Sequence, residues 1–309
     1  MIKIENLVKR YGDLLALDHL NLEVQEGEIF GLLGPNGSGK STAIGCMLAL
    51  LKYDKGSIEI FGKEMTPDSY EAKRQIGVIF QNVAVFEELT VYENIDYFCG
   101  LYIKDKEMKK QYVKEAIEFV GLENFQKIRP KKLSGGLLRR LNIACGIAHK
   151  PKLIIMDEPT VAVDPQSRNK ILEGIQELNR QGSTIIYTTH YMEEVEQICN
   201  RIAIIDHGRS IAVGTKEELK KMIKTGETIT IEGIQLKESQ ISEIKEIRHV
   251  FQAEYEDDKL IVRCSGAKHN LVRILNYMQE NEISFGQVFS QLPTLNDVFL
   301  EITGKQLRD

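Results

Sequence analysis

Short apolar runs separated by glycine and polar residues dominate the first two thirds of the chain. Strict polar and apolar alternation in "LNLEV" predicts a half-buried strand, whereas uninterrupted apolar runs predict strands buried inside a parallel sheet. The uninterrupted runs are "EIFGLLG" (28–34), "KLIIMDEP" (152–159) and "STIIYTTH" (183–190). "GSIEIFGKEM" and "KRQIGVIFQ" are two further strand candidates, and the second is expected to end at Gln81.

Helical patterns lie between these runs. "TVYE" (90–93) has the spacing of a capping box, and Asp164 followed by Pro165 fits an N-cap and a first helical residue. The stretch from 82 to about 150 is predicted to be a helical insertion, in which Tyr112, Ala116, Phe119 and Val120 share one helix face. Alternating strands and helices predict an α/β fold for residues 1–224, and the change of pattern after 224 predicts a small α+β unit over 225–309.

Composition narrows the classes of protein. The chain has 309 residues, of which 42% are hydrophobic and 28% charged, so it can bury a core in each of two units. A net charge of −5 argues against nucleic-acid binding. The apolar stretch Ala43–Leu51 has about half the length of a membrane span, and the N-terminus lacks a secretory pattern, so we expect a cytoplasmic protein. The five scattered cysteines are expected to be core residues.

The segment "GPNGSGKST" carries the strongest chemical signal. It fits the phosphate-binding pattern G-x-x-x-x-G-K-[ST] between a predicted strand and a predicted helix, which leaves a chance glycine turn with a stray lysine as a minor alternative. Its backbone N–H groups can converge on phosphate oxygens, Lys40 can reach the β- and γ-phosphates, and Ser41 can bind Mg²⁺. The expected nucleotide-binding residues are Gly34, Pro35, Asn36, Gly37, Ser38, Gly39, Lys40, Ser41 and Thr42.

Two carboxylates close the buried run "LIIMDE". Asp157 is the expected partner of a Mg²⁺ ion held by Ser41 and phosphates. Glu158 would leave the strand end on the other side and polarise an attacking water as a general base. An acidic pair before a proline is more often a solvated strand end, so this assignment depends on the neighbouring phosphate site.

Three further residues are weaker candidates. Gln81 and His190 both follow predicted strands, where ligands bind in open α/β folds. Gln81 could contact the metal or the water through its amide, and His190 could hydrogen-bond the γ-phosphate; ordinary polar strand ends are the alternative. Tyr11 could stack on an adenine ring, or it could be a structural tyrosine.

Together these segments resemble one family. "YGD" (11–13), "GPNGSGKST", Gln81, "LSGG" (133–136), "LIIMDEPT" and "TTH" occur in the order and approximate spacing of the ATP-binding cassette (ABC) ATPases, over about residues 1–220. The resemblance implies a P-loop NTPase cassette with a RecA-like core, an antiparallel β subdomain and a helical insertion. It also implies that two cassettes pair head to tail, as a homodimer or with a related cassette. ATP and Mg²⁺ would then lie between the P-loop of one copy and Ser134, Gly135, Gly136 and Asp164 of the other.

Two departures refine the resemblance. Leu137 stands where many members have glutamine, and Ala162 and Val163 replace a glycine and a leucine in the loop before Asp164. "SGGLLRR" and the C-terminal "PTLNDVFLEITG" look like the bacterial drug, antibiotic and sodium exporter branch. That branch implies a separate membrane permease, bound at the cytoplasmic face of the membrane through the insertion, with Val83–Ile95 at the centre of the docking surface.

Two other functions remain open at this stage. A soluble cassette ATPase acting on ribosomes or DNA would usually carry two cassettes or a long coiled coil in one chain, and neither pattern is present here. A P-loop kinase for a small molecule would leave "LSGG" and His190 without a role. An exporter ATPase is therefore the favoured expectation, and no nucleic-acid partner is expected.

Overall fold

The computed structural model describes residues 1–266 and 268–304, and the last five residues of the predicted unit 225–309 lie outside this range. Within the described residues the chain divides into two compact units, 1–215 and 216–304. The division lies upstream of the boundary expected between 224 and 225.

The first unit contains ten strands and seven α-helices among the described residues. The strands are β1 (Ile2–Tyr11), β2 (Leu14–Val24), β3 (Ile29–Leu33), β4 (Lys55–Ile60), β5 (Lys63–Glu64), β6 (Ile76–Ile79), β7 (Leu153–Asp157), β8 (Thr184–Thr189), β9 (Arg201–Asp206) and β10 (Arg209–Gly214). The helices are α1 (Lys40–Met47), α2 (Tyr70–Lys73), α3 (Val91–Gly100), α4 (Lys106–Val120), α5 (Gly135–Ile147), α6 (Pro165–Arg180) and α7 (Met192–Ile198).

A six-stranded sheet forms the centre of this unit, in the order β10-β9-β3-β8-β7-β6. Its strands are parallel except for β10, which pairs antiparallel with β9. Every residue of β3, β7 and β8 is buried, which confirms the prediction from their uninterrupted apolar runs. Leu33 pairs with Thr189 and Asp157 with Thr188, so the carboxyl ends of these three strands lie side by side.

An antiparallel sheet in the order β2-β1-β4-β5 completes the strand layer. β1 was not predicted from the sequence, although its residues bury alternately at its start, as a half-buried strand does. "GSIEIFGKEM" forms two strands rather than one, because Phe61 and Gly62 both adopt positive φ and reverse the chain between β4 and β5. "KRQIGVIFQ" ends as a strand at Ile79, so the predicted end at Gln81 was wrong.

Helices α3, α4 and α5 form the predicted insertion. Thr90 and Glu93 make the reciprocal hydrogen bonds of the predicted capping box at the start of α3. Asp164 caps α6 by accepting a hydrogen bond from the Ser167 N–H, with Pro165 at the first helical position as predicted. The five cysteines are buried and free, in agreement with their expected role in the core.

The second unit is an α+β unit, and its elements are α8 (Lys216–Lys221), β11 (Thr225–Glu232), α9 (Glu238–Glu246), β12 (Val250–Glu256), β13 (Lys259–Ser265), α10 (Asn270–Glu280), β14 (Val288–Gln291) and α11 (Leu295–Thr303). Its antiparallel sheet has the order β12-β13-β11-β14. Apolar residues of the sheet, such as Ile229 and Val262, pack with Ile244 of α9 and Ile274 of α10 in a separate core. Among all described residues, no helix combines the length and apolar character needed to cross a membrane.

Candidate functional site

The glycine-rich loop joins β3 to α1 at the carboxyl edge of the sheet. Gly34 allows a close approach, because a Cβ there would lie 2.3 Å from the Ile205 carbonyl oxygen. Gly39 has φ +105 and would place a Cβ 2.7 Å from the Ala16 carbonyl oxygen, so only glycine fits without strain. The loop therefore packs tightly and leads directly into the N-terminus of α1, where backbone N–H groups are free to bind an anion.

Lys40 is the first residue of α1 and its side chain is 4% exposed. Its Nζ donates hydrogen bonds to the carbonyl oxygens of Gly34 at 2.7 Å and Pro35 at 3.1 Å. Burial lowers the pKa of this amine below its ordinary value, while the nearby Glu158 carboxylate opposes that effect. The amine is thus held over the loop by backbone oxygens and one acidic partner.

Glu158 is the common partner of the candidate catalytic residues. Its Oε1 lies 3.5 Å from Lys40 Nζ and 3.4 Å from His190 Nδ1. Its Oε2 accepts a hydrogen bond from Gln81 Nε2 at 3.0 Å. Glu158 has φ +46, a left-handed conformation that is uncommon outside glycine, and directly follows the last residue of β7. The structure therefore brings together four residues predicted from separate segments of the sequence: Lys40, Gln81, Glu158 and His190.

Asp157 is buried at the end of β7, and its Oδ1 accepts a hydrogen bond from Thr188 Oγ1 at 2.6 Å. The same Thr188 hydroxyl oxygen accepts a hydrogen bond from the Glu158 backbone N–H at 3.0 Å. Strand pairing between β7 and β8 thus fixes both acidic residues. Ser41 is exposed on the first turn of α1, which leaves its hydroxyl accessible.

Arg139 holds the loop that carries Gln81, and the sequence analysis did not identify it as a residue of the site. This residue of α5 is buried, and its Nη1 donates to the carbonyl oxygens of Phe80 at 3.2 Å and Gln81 at 2.8 Å. Asn142, one helical turn later, accepts the Ala84 N–H at 3.1 Å. The "RR" after "SGGLL" was a visible signal, but its contact with the Gln81 loop depends on tertiary structure.

Ser134, Gly135 and Gly136 open α5 in the helical insertion. The Ser134 side chain caps the helix by accepting the Leu137 N–H at 3.4 Å. Gly136 lies against α6, where a Cβ would meet Ser167 Oγ at 2.5 Å, whereas a Cβ at Gly135 would enter almost open space. No hydrogen bond or ion pair among residues 1–266 and 268–304 joins these three residues to the P-loop. The structure does not bring the two glycine-rich helix starts together within one chain.

The loop from 158 to 164 retains a left-handed turn despite its unusual sequence. Ala162 has φ +58, so it adopts the conformation that glycine would take more readily. Val163 is buried and Asp164 is exposed. Hydrogen bonds from the Ser167 backbone and hydroxyl lower the pKa of Asp164, which therefore caps α6 as a carboxylate.

Tyr11 is at the end of β1 and pairs with Leu14 of β2. Its ring is 46% exposed and lies 4.9 Å from Lys9 Nζ. Ala16 and Leu17, shortly after that pair, contact Gly39 in the P-loop. An exposed ring on this hairpin is available for stacking, which fits the predicted role.

A parallel sheet that ends in a P-loop, with an acidic pair beside it, defines a P-loop NTPase. Comparison with known families gives two matches: "ABC transporter" over residues 17–161, and "ATP-binding protein DrrA1-3-like, C-terminal domain" over residues 214–303. The linearmycin resistance ATP-binding protein LnrL of Bacillus subtilis (strain 168) is 40% identical over 314 aligned positions, covering 100% of both chains. This chain therefore belongs to the ABC transporter family.

Two other relatives align over nearly the whole chain. The daunorubicin resistance ATP-binding protein DrrA3 of Streptomyces coeruleorubidus is 32% identical and covers 99% of this chain and 97% of its own. The Nod factor export ATP-binding protein I of Sinorhizobium fredii (strain NBRC 101917 / NGR234) is 33% identical and covers 100% and 87%. Both are similar to this chain in its cassette and in its C-terminal unit.

Solved structures support the same assignment. A dimeric ATP-binding cassette in a post-hydrolysis state with ADP and phosphate matches with a TM-score of 0.64 and 29% identity, covering 70% of this chain and 98% of that chain. A second dimeric structure of a bacterial ABC transporter cassette matches with a TM-score of 0.65 and 30% identity, with the same coverage. The chain is an ATP-binding subunit of the exporter-type branch, and its ATPase activity is coupled to transport.

Proposed function

We propose that this chain hydrolyses ATP in composite sites formed by two copies and thereby drives a separate membrane permease. The observation that carries the proposal is the Glu158 carboxylate, which lies within 3.5 Å of groups from Lys40, Gln81 and His190 beside the P-loop. The two other candidate functions explain less. A kinase has no use for the helix start at Ser134, and the acidic net charge does not favour ribosome or DNA binding.

Each residue of the cluster has a chemical role in this proposal. The P-loop residues Gly34–Thr42 bind the phosphates through backbone N–H groups and the Lys40 amine, and Tyr11 stacks on the base. Glu158 accepts the proton of the attacking water, and His190 donates a hydrogen bond to the γ-phosphate. The side-chain amide nitrogen of Gln81 donates to Glu158, so the side-chain oxygen Oε1 of Gln81 remains available to the metal or water.

Mg²⁺ fits the donor atoms present. No cluster of three or more His, Cys, Asp or Glu side chains suited to a metal exists among the described residues, so a closed metal cage is not expected there. The available donors are the Ser41 hydroxyl, the Gln81 amide and the Asp157 carboxylate, which match a Mg²⁺ ion shared with phosphates. The ion would neutralise charge on the phosphate oxygens.

A second copy would complete the site. Ser134 and Gly135 are exposed at the start of α5, Gly136 is buried behind them, and the exposed Asp164 lies beside Gly136. A helix N-terminus stabilises negative charge. We therefore place these residues of one copy against the γ-phosphate bound by the other, as a homodimer or with a related cassette. The dimeric solved cassettes support this arrangement.

A groove of about 320 Å³ marks the proposed permease contact. It lies between the central sheet and the insertion and is lined by Phe80, Ala84, Phe98, Tyr102 and His149, among others. Its neighbour Phe86 is exposed and packs against Phe98 with ring centroids 5.8 Å apart. Phe80 and Ala84 lie on either side of Gln81 in the sequence. An amphipathic helix of the permease bound in this groove would therefore contact the loop that carries Gln81.

The proposed permease contact also implies a location for the protein and separate roles for its two units. We propose that residues 1–224 act as the cassette at the cytoplasmic face of the membrane and that 225–309 form an accessory unit. The resistance and export names of the relatives support an exported cargo, which the permease would select.

Substitution of Glu158 by glutamine tests the proposal. We expect kcat to fall by about 1,000-fold, because the general base is lost while the shape of the side chain is kept. ATP should still bind and should trap a dimer, measured by size-exclusion chromatography with light scattering. Glu173→Gln is the matched control, since this exposed carboxylate lies on the surface of α6. A strictly monomeric Glu158→Gln protein at saturating ATP would contradict the proposal.

A further inference from the structure

Glu194 is a buried carboxylate outside the phosphate-binding residues. It lies on α7 with 2% exposure and accepts hydrogen bonds from three hydroxyl groups. Thr160 Oγ1 donates to Oε1 at 2.7 Å, while Tyr187 OH at 2.8 Å and Thr189 Oγ1 at 2.7 Å both donate to Oε2. Three short hydrogen bonds on one carboxylate indicate an ordered polar network rather than a solvated surface group.

The network joins two segments that carry the proposed catalytic groups. Thr160 is in the loop that begins at Glu158, and Thr189 directly precedes His190. Thr189 Oγ1 also accepts the Tyr191 N–H at 2.9 Å, so its hydroxyl fixes the turn that contains His190. One carboxylate therefore sets the distance between the loop after Glu158 and the turn at His190, although they are far apart in the sequence.

The surroundings keep the donors protonated and the carboxylate in place. Burial, followed by the charge of Glu194, raises the pKa of Tyr187 well above its ordinary value, so its hydroxyl remains a donor. Arg168 Nε lies 3.6 Å from Glu194 Oε1, and its guanidinium lies 4.8 Å from the Tyr191 ring. Arg168 thus places a positive charge at the edge of the network, next to the residue that follows His190.

We propose that Glu194 is a positioning residue for ATP hydrolysis, which holds the Glu158 loop and the His190 turn in register through Thr160 and Thr189. The inference rests on the proposed catalytic roles of Glu158 and His190. Within residues 1–266 and 268–304, no hydrogen bond or ion pair joins Glu194 to Lys40 or to the P-loop. Loss of the network should therefore lower kcat and leave the KM for ATP nearly unchanged, because small displacements of reacting groups affect the chemical step most.

Thr160→Val and Thr189→Val in the full chain test the inference, because valine keeps the shape of threonine and replaces only its hydroxyl by a methyl group. We expect each to lower kcat by about tenfold with KM within about twofold of the parent value. The matched control is Thr184→Val at the opposite end of β8. Thr184 is also fully buried, and its hydroxyl accepts the Gly27 N–H at 2.8 Å, away from the catalytic groups. The control should lose stability without the selective loss of kcat.

Glu194→Ala and Glu194→Gln add a rescue experiment. The glutamine oxygen can accept from Tyr187 and Thr189 while its amide donates to Thr160, so Glu194→Gln should retain most of the kcat that Glu194→Ala loses. Normal kcat in both threonine variants, an equal loss in Thr184→Val, or equal inactivity of the two Glu194 variants would overturn the inference. Glu158→Gln in the same assay distinguishes failure of the Glu194 inference from failure of the proposed function. If Glu158→Gln hydrolyses ATP normally, the proposed catalytic role of Glu158 itself fails.

Discussion

The Glu158 cluster and the helix start at Ser134 differ in how the chain supports them. Glu158 is buried and meets Lys40, Gln81 and His190 within one chain. Ser134 and Gly135 are exposed, and the Ser134 side chain only caps its own helix. The comparison shows that the groups around Glu158 are assembled by the folding of one chain, whereas Ser134 and Gly135 remain an exposed surface, which under the proposed function a second cassette would cover.

The largest effect on ATP affinity is expected where the assembled half binds phosphate. Lys40→Ala should weaken ATP affinity by about 100-fold, because hydrogen bonds from a charged donor contribute about 1.5–3 kcal/mol. Isothermal calorimetry measures the change. Lys170→Ala, which removes an exposed lysine of α6, is the control. Unchanged affinity in Lys40→Ala would remove this residue from the phosphate site.

A bulky residue at Gly135 should impair the half of the site formed by the Ser134 helix start and leave the Glu158 half intact. A Cβ there has no neighbour closer than 3.9 Å, so Gly135→Leu should keep the melting temperature and monomer ATP binding. ATPase activity should fall by about thirtyfold or more because the side chain obstructs the partner's γ-phosphate, an electrostatic contact of the kind that contributes strongly to rate. Gly136→Ala is the contrasting variant and should melt earlier, since its Cβ meets Ser167 Oγ at 2.5 Å. Full activity in Gly135→Leu would reject the composite site.

Arg139 connects the two halves, because it belongs to the helix that starts at Ser134 and holds the Gln81 loop. Arg139→Ala should lower kcat by about tenfold, since Gln81 would no longer be fixed against Glu158. Steady-state ATPase kinetics measure this loss. Arg140→Ala is the matched control: Arg140 Nη1 donates to the Val120 carbonyl oxygen instead of the Gln81 loop. Equal losses in both variants would show a general effect on α5.

The smallest effect concerns Asp164 at the start of α6. Its folded-state pKa is lower than the ordinary value of 3.8, so its ionised form stabilises the fold above that pH. Asparagine also caps helices well, so Asp164→Asn should be only slightly less stable at pH 7. The difference should disappear as the pH falls below about 4 and the aspartate takes up its proton. Urea unfolding between pH 7 and pH 3 measures it, and a difference that grows on acidification would contradict the assignment.

The sequence predicted the parts of the site that local patterns specify. A P-loop pattern located Lys40 and the end of a buried strand located Glu158, and in the structure the two side chains lie 3.5 Å apart. The end of β6 was misplaced because the apolar run continues to Phe80, which is 39% exposed after the strand has ended. Apolar character alone does not locate the last ladder hydrogen bond.

Arg139 and Glu194 could not be assigned from the sequence for a different reason. Each acts on residues that are distant along the chain: Arg139 on Phe80 and Gln81, and Glu194 on Thr160. Their side chains are charged and buried, a combination that becomes visible only when tertiary contacts are known. The strand β1 was missed because its exposed charged positions obscure a weak alternation.

Helix α5 connects the helix start at Ser134 with the groove proposed as the permease contact. The helix begins at Gly135 and ends at Ile147, a length of about 20 Å at 1.5 Å per residue. Ser134 precedes its first turn, while Cys145 and Gly146 near its other end line the groove. Helix α5 is therefore one continuous hydrogen-bonded element between Ser134 and the groove, and Arg139 ties its first half to the Gln81 loop.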